Sequence, residues 1–208
     1  TVYPRGLTSQ LDYFKDKVDG KPNAGAVPGD TQVSPIGHME RKQGGRWQTA
    51  WKAPLVNEVS PVHAVVSNDG VTVTFDNWHS VGWGDDAVVI YAVDGSQVRK
   101  FGLSAFLPKH YINAVPRSVS SIHWRGKPRI DETARELVIP VVVPSEDGAA
   151  AYTDKERFVD VRFLLAQAHR TRLALSRTPA RDPGAQTDQC RVEHAQAVVH
   201  ERHALQGR

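Results

Sequence analysis

One short stretch of the sequence combines most of the side chains that could do chemistry. Asp76-Asn77-Trp78-His79 is soon followed by Gly82-Trp83-Gly84-Asp85-Asp86. Flat aromatic faces beside carboxylates and an imidazole suit a sugar, a peptide or an aromatic ligand. The candidate ligand-binding residues are therefore Asp76, Asn77, Trp78, His79, Trp83, Asp85 and Asp86. The structural alternative is that both tryptophans pack between neighbouring sheets while Asp76 and His79 form a side-chain network.

Two catalytic interpretations compete with simple binding. The set that could form a metal site consists of His79, Asp85 and Asp86, with His110 or His123 as a further ligand. These residues do not have the spacing of an established zinc motif. A hydrolase could use the serines within residues 118–121 together with His123, but the Gly-x-Ser-x-Gly turn that exposes a nucleophile is missing there. The sequence therefore assigns no catalytic residue, no metal ligand and no cofactor.

Regularly spaced glycine turns predict the strands that carry this stretch. Three hairpins are expected, namely residues 38–41 with 46–53, residues 62–67 with 71–75, and residues 87–92 with 97–103. Their turns contain Gly44-Gly45, Gly70 and Gly95, and glycine tolerates the positive φ that such turns require. Val71, Val73 and Phe75 alternate with threonines, as in a half-buried strand, whereas residues 87–91 are continuously apolar, as in a strand buried on both faces.

The up-and-down order of these strands predicts where the loops lie. The tight turns at residues 68–70 and 94–95 should fall at one end of the sheet. The longer connections, residues 55–61, 76–86 and 104–117, should then gather at the other end. Long loops collected at one end of a rigid sheet are where binding usually occurs.

A second round of strands follows the first. It is expected at residues 118–124, 137–143 and 158–165, without a fourth strand. The strands that begin at Arg46 and Gln97 start 51 residues apart, close to the roughly 40 to 50 residues of a propeller blade. Over residues 37–165 this layout resembles β-propeller repeats of the WD40 or NHL-like kind, although the Gly-His and Trp-Asp dipeptides of WD40 blades are absent from the corresponding places. The resemblance implies an all-β fold, an antiparallel β-meander that forms a partial β-propeller of about one and a half blades.

The two ends of the chain differ from the central part. Residues 1–36 are polar and rich in turn formers, which predicts an irregular arm with one short helix after Ser9. The apolar residues at helical spacing are Leu7, Leu11, Phe14 and Val18. Residues 166–208 contain 7 Arg but no Phe, Trp, Tyr, Ile or Lys. We expect this tail to lie outside the core, either disordered with a helical patch near 192–205 or as a non-native, out-of-frame product of GC-rich DNA.

Charge and cysteine content exclude several partners. Residues 1–165 carry 19 basic and 19 acidic residues, so the excess positive charge belongs to the tail and no nucleic-acid partner is expected.

The apolar stretch 137–143 is too short for a membrane span. A lone Cys190 precludes an intrachain disulfide and leaves the compartment undefined. The sheet edge left by the missing fourth strand is expected to favour self-association.

These observations favour a non-enzymatic, propeller-like scaffold whose loop end binds a protein or small-molecule ligand. The alternative is a metal-dependent or hydrolytic enzyme that uses the region of His79. A binding scaffold would lock the polar loop residues into contacts between sheets, whereas an enzyme would direct them into a cleft.

Overall fold

The protein consists mainly of antiparallel β-sheets. A computed structural model describes residues 1–145, 151–153 and 155–165, together with the backbone of a strand at 198–200. Strands predominate over helices and pair antiparallel in each sheet, so the all-β class expected from the sequence is confirmed. Among the described residues, no helix has the length and apolar character that crossing a lipid bilayer would require.

The first sheet contains three strands in chain order, β1 (Val2–Tyr3), β2 (Ile36–Gln43) and β3 (Arg46–Pro54). β2 and β3 form the first predicted hairpin. Its turn residues, Gly44 and Gly45, have φ angles of 57° and 82°, which glycine adopts without steric cost.

A β-bulge in this hairpin decides which side chains enter the core. The register shifts between Met39 and Glu40, which leaves Ala50 of β3 as the extra residue. Strict alternation would place Trp47 and Trp51 on the same face, but the extra residue moves them to opposite faces. Trp51 is accordingly 8% exposed, whereas Trp47 is 69% exposed.

The N-terminal arm contains the expected helix, α1 (Gln10–Val18). The Ser9 hydroxyl caps it by accepting a hydrogen bond from the Asp12 backbone N–H at 3.0 Å. The expected apolar face is wrong, because Leu11 and Val18 are exposed while Tyr13 is buried. Tyr13 packs so closely against Gly25 that a Cβ on that glycine would lie 2.9 Å from the Tyr13 Cα.

The central sheet is the predicted meander of the second and third hairpins. Its strands are β4 (Pro61–Val66), β5 (Thr72–Asn77), β6 (Val88–Tyr91) and β7 (Gln97–Phe101), hydrogen-bonded in that order. The turns at Gly70 and Gly95 therefore lie at one end, as predicted. Every residue of β5 and β6 is buried. The threonines of β5 are thus covered as well as its apolar residues.

The connection after β7 departs from the antiparallel β-meander expected over residues 37–165. A 3₁₀ turn (Leu103–Ala105) leads into α2 (Lys109–Ala114). Leu103 and Leu107 are both buried in the core. Their spacing places them on one side of a helical turn, which explains why the chain coils here instead of extending.

The last sheet contains the strands β8 (Arg129–Asp131), β9 (Glu136–Val142), β10 (Phe158–Leu164) and β11 (Val198–His200). They are arranged in the order β11-β10-β9-β8. The strand predicted at residues 118–124 is wrong, because this segment forms only isolated bridges such as that between Val81 and Ser121.

The tail supplies a fourth strand that the sequence analysis did not predict. β11 pairs antiparallel with β10, so the edge expected to remain open at β10 is covered. Backbone hydrogen bonds satisfy the N–H and C=O groups of an edge strand. Because they do not involve side chains, a segment with few large apolar residues can still add such a strand. The helical patch expected near residues 192–205 is therefore wrong at Val198–His200, which are extended. The rest of the tail that was expected to be disordered or weakly helical, residues 166–197 and 201–208, lies outside the described residues.

The two four-stranded sheets and the segment that joins them share one hydrophobic core. Phe75 of β5, Trp124 of the joining segment and Ile139 of β9 are fully buried in this single cluster. The core continues through Phe106 and Phe163, whose ring centroids lie 5.4 Å apart. Both sheets therefore pack as one unit beneath the loops.

The bulge makes the two tryptophans of β3 a matched pair for testing the fold. Replacement of the buried Trp51 by alanine should lower the free energy of unfolding by about 3 to 5 kcal/mol through the cavity it leaves. The same change at the exposed Trp47 should stay within about 0.5 kcal/mol. Chemical denaturation of both variants measures the difference, and equal losses would show that the assigned register is incorrect.

Candidate functional site

Three segments converge at the loop end of the central sheet around Asp76. They are residues 55–60 before β4, residues 78–87 between β5 and β6, and residues 116–125 before β8. Asp76 is fully buried and has a φ of 59°. Non-glycine residues rarely adopt this conformation, and aspartate tolerates it better than most. This conformation directs the Asp76 carboxylate toward the second and third segments, while its backbone carbonyl meets the first.

The Asp76 carboxylate is fully used by the protein itself. Its Oδ1 accepts hydrogen bonds from the Gly82 backbone N–H at 2.8 Å and from the Trp124 indole N–H at 2.9 Å. Its Oδ2 accepts two more from Arg125, at 3.0 Å from Nε and 2.7 Å from Nη2. Both guanidinium N–H groups donate to this single oxygen, and such charge-assisted hydrogen bonds are stronger than neutral ones. Asp76 therefore holds the loops together and has no oxygen directed to solvent.

Gly82 permits this arrangement because of both its conformation and its small size. Its φ is 74°, within the region that favours glycine. A Cβ at this position would lie 2.9 Å from Cδ1 of Trp124 and 3.0 Å from Cβ of Ile122. Any side chain here would push the 78–87 loop away from Asp76.

Two asparagines extend the network to the segment before β4. Asn77 accepts a hydrogen bond from the Glu58 backbone N–H at 3.0 Å and donates one to Asp86 Oδ1 at 2.8 Å. Asn57 donates to the Asp76 carbonyl at 2.9 Å and accepts from the Thr74 hydroxyl at 2.9 Å. Burial raises the pKa of Asp86. The side chains of Asn57, Thr74, Asn77 and Asp86 thus form a polar scaffold beneath the loops.

Trp78 and His79 lie beneath the N-terminal helix. The Trp78 ring centroid is 5.5 Å from that of Tyr13, and the His79 ring is 5.1 Å from that of Phe14. His79 Nε2 also lies 2.9 Å from Gln10 Nε2. α1 therefore covers the aromatic surface on which the sequence analysis centred its binding prediction.

The helix is anchored at this end by Glu58. The Glu58 carboxylate accepts a hydrogen bond from the Tyr13 hydroxyl at 3.2 Å and pairs with Lys17 at 3.1 Å. Arg5, which is also buried, donates to the Glu58 and Ala24 carbonyls. Burial and the nearby Glu58 carboxylate raise the pKa of Tyr13 to about 12.

Of the predicted residues, Trp83 and Asp85 face outward. Trp83 is 42% exposed, and the Arg117 guanidinium lies 5.9 Å from its ring centroid. Asp85 pairs with Lys100 at 2.8 Å, a hydrogen bond that lowers the pKa of this carboxyl. Val119, two residues after Arg117, is fully exposed in the turn that the hydrogen bond from the Ser118 N–H to the Ser121 carbonyl closes. Arg117 and Val119 were not among the predicted residues, although the Arg-Ser-Val-Ser-Ser segment does place an isolated apolar residue among turn-forming serines.

The residues of the hypothetical metal site bind different partners. His79 contacts Gln10, Asp85 pairs with Lys100, and Asp86 accepts from Asn77. No cluster of three or more potential ligands occurs among the described residues. His110 is exposed on α2.

His123, the base of the hypothetical hydrolase, also has partners of its own. Its Nε2 lies 2.6 Å from Glu156 Oε1, and its ring stacks on Tyr152 with centroids 3.9 Å apart. Each serine of residues 118–121 remains at least partly accessible. The described contacts therefore place His123 against the segment before β10 and do not include a hydrogen bond to a serine.

Comparisons with known proteins do not extend this description. No protein-family model matches the chain, and no curated protein or solved structure matches it significantly. The residues and their geometry therefore carry the functional argument.

The Asp76 network predicts a large cost for removing one charge. Asp76→Asn keeps the shape but leaves Arg125, whose side chain is 11% exposed, without its counter-charge. The expected loss is about 3 to 5 kcal/mol of unfolding free energy. Asp85→Asn is the matched control and should change stability little, because its ion pair is exposed. A urea titration of both variants tests this, and a small loss at Asp76 would mean that the network does not hold the loops.

Tyr13 predicts a pH dependence with a defined sign. Because its pKa rises from about 10 to about 12 on folding, the unfolded chain loses the proton first as the pH increases. Stability should be unaffected by this group below about pH 10 and should fall between pH 10 and 12, by at most about 3 kcal/mol. Tyr13→Phe should remove this part of the decline, whereas the exposed-ring variant Tyr3→Phe should retain it. Parallel denaturation curves across that range decide the outcome, and identical slopes in all three proteins would contradict it.

Proposed function

We propose that this protein is a non-enzymatic binding module whose loop end recognises a protein or peptide partner. The observation that carries the proposal is the Asp76 network. It joins Gly82 of one loop to Trp124 and Arg125 of another, and so fixes both loops relative to the sheet. A surface that is already ordered loses less conformational entropy when a partner binds.

The two loops are also joined directly. The Ile122 backbone N–H donates to the Val81 carbonyl at 2.9 Å, which holds residues 117–122 beside the loop that carries Trp83. The Ser118 N–H donates to the Ser121 carbonyl at 2.8 Å and closes the turn that projects Val119. Arg117 is held in place by donating to the Ile112 carbonyl of α2.

The side chains presented by these loops suit a protein partner. Tryptophan and arginine are the residues most enriched at interface positions that dominate binding energy. Trp83 offers an aromatic surface and Arg117 a cation beside it, while Val119 offers a projecting apolar group. We define Trp83, Arg117 and Val119 as the loop-end patch. A peptide with an apolar side chain next to a carboxylate would complement it.

The scaffold beneath the patch supports the propeller-like interpretation as well. The central and last sheets each contain four antiparallel strands and share one core. Propeller repeats use sheets of this size and carry binding residues on the loops that connect them. We include this repeat architecture in the proposal.

The test is selection of a displayed random peptide library on the full chain. We expect enriched peptides to bind the natural protein and Trp47→Ala with equal affinity, and Trp83→Ala at least about tenfold more weakly, since an interface tryptophan commonly contributes 2 kcal/mol or more. Trp47 is the control because it is exposed but lies on β3. Failure to enrich any peptide, or binding that ignores Trp83, would refute the proposed function.

A further inference from the structure

The outward face of the β2–β3 hairpin forms a second chemically distinctive surface. Residues directly opposite in antiparallel strands share a face, and the register pairs Lys42 with Trp47 and Glu40 with Thr49. Beyond the bulge, His38 lies opposite Lys52. The contact between His38 Nε2 and the Thr49 hydroxyl, at 3.0 Å, shows that this third pair continues the same face.

The opposite face of the hairpin is occupied by the protein. Arg41 donates to the Asp69 carbonyl in the turn between β4 and β5. Trp51 covers Gly95, where a Cβ would lie 2.7 Å from the indole ring. The hairpin therefore packs on the tight-turn end of the central sheet. Its outward face lies away from the loop-end patch and is independent of it.

An aromatic ring and a lysine lie together at each end of this outward face. Trp47 is 69% exposed at one end. At the other end Tyr3 of β1 is 46% exposed and stacks on His38 with ring centroids 6.2 Å apart. The Lys52 ammonium lies 5.9 Å from the Tyr3 ring centroid. Because same-face residues are about 7 Å apart along a strand, Lys42 and Lys52 are separated by roughly 14 Å across two steps of the hairpin.

The hairpin concentrates positive charge that the whole-chain count conceals. Residues 1–165 are balanced, but residues 36–54 contain four basic residues and one acidic residue. Of the four, Lys42, Arg46 and Lys52 are exposed. The single acid, Glu40, is exposed at the centre of the outward face beside Thr49.

We propose that this face binds an anionic polysaccharide, a chain of pyranose rings that carry carboxylates. The apolar face of a sugar ring stacks on Trp47, and Lys42 and Lys52 pair with carboxylates along the chain. The Glu40 carboxylate accepts hydrogen bonds from sugar hydroxyl groups between the two lysines, and the Thr49 hydroxyl adds a further polar contact there. Single-stranded DNA fits less well, because its backbone offers the Glu40 carboxylate no hydroxyl donor, whereas the sugar rings of the polysaccharide do.

The first test is titration of the full chain with polygalacturonate, monitored by intrinsic tryptophan fluorescence and calorimetry. We expect saturable binding that weakens with added salt, because the lysines contribute. Trp47→Ala and the double variant Lys42→Gln with Lys52→Gln should each weaken binding at least tenfold. Trp83→Ala, in the loop-end patch, should leave it unchanged. No binding, or binding that persists in Trp47→Ala, would overturn the proposal.

Two further arms distinguish this ligand from its alternatives. Glu40→Gln should weaken polygalacturonate binding severalfold, because a carboxylate acceptor for hydroxyl groups is lost. If the face responds only to negative charge, the same variant should bind more tightly, which would refute the sugar-specific contact. Neutral dextran should bind much more weakly than polygalacturonate. A single-stranded oligothymidylate that binds more tightly through Trp47 and the lysines would instead identify a nucleic-acid surface and overturn the inference.

Discussion

The buried carboxylate of Asp76 is the constraint on which the arrangement of the loops depends. An ionised carboxylate away from water is costly unless its charge and lone pairs are matched. The match comes from Arg125 and Trp124, which lie far along the chain. The segment that carries them also pairs with β9, through the hydrogen bond from the Val142 N–H to the Trp124 carbonyl at 2.9 Å. Satisfying one charge thus joins the central sheet to the last one.

The elements that local chemistry determines could be predicted from the sequence. Glycine turns at Gly70 and Gly95 marked the central hairpins, and Ser9 marked the start of α1. The bulge at Ala50 could not be read from the sequence, because the alternation of Trp47, Thr49 and Trp51 is that of a regular strand. Packing on the central sheet buries one indole and exposes the other. Tertiary contacts, not local preference, set the register there.

In the candidate site, too, local features could be predicted from the sequence and tertiary contacts could not. Placing residues 76–86 at the loop end required only the strand order, and the structure brings them there. The partners of Asp76 could not be foreseen, since nothing local relates it to Trp124 or Arg125. Nor does the spacing of apolar residues in α1 indicate that Tyr13 would cover Trp78. The aromatic residue that a partner can reach is therefore Trp83, beside Arg117, and not Trp78.

Asp76 and Arg125 act as one unit that fixes the loops. A double-mutant cycle with Asp76→Asn, Arg125→Gln and the combined variant measures the coupling directly, because it subtracts what each side chain contributes elsewhere. We expect a coupling free energy of about 2 to 3 kcal/mol, with the double variant much less destabilised than the sum of the losses in the two single variants. Additive losses, with coupling within about 0.5 kcal/mol of zero, would contradict it.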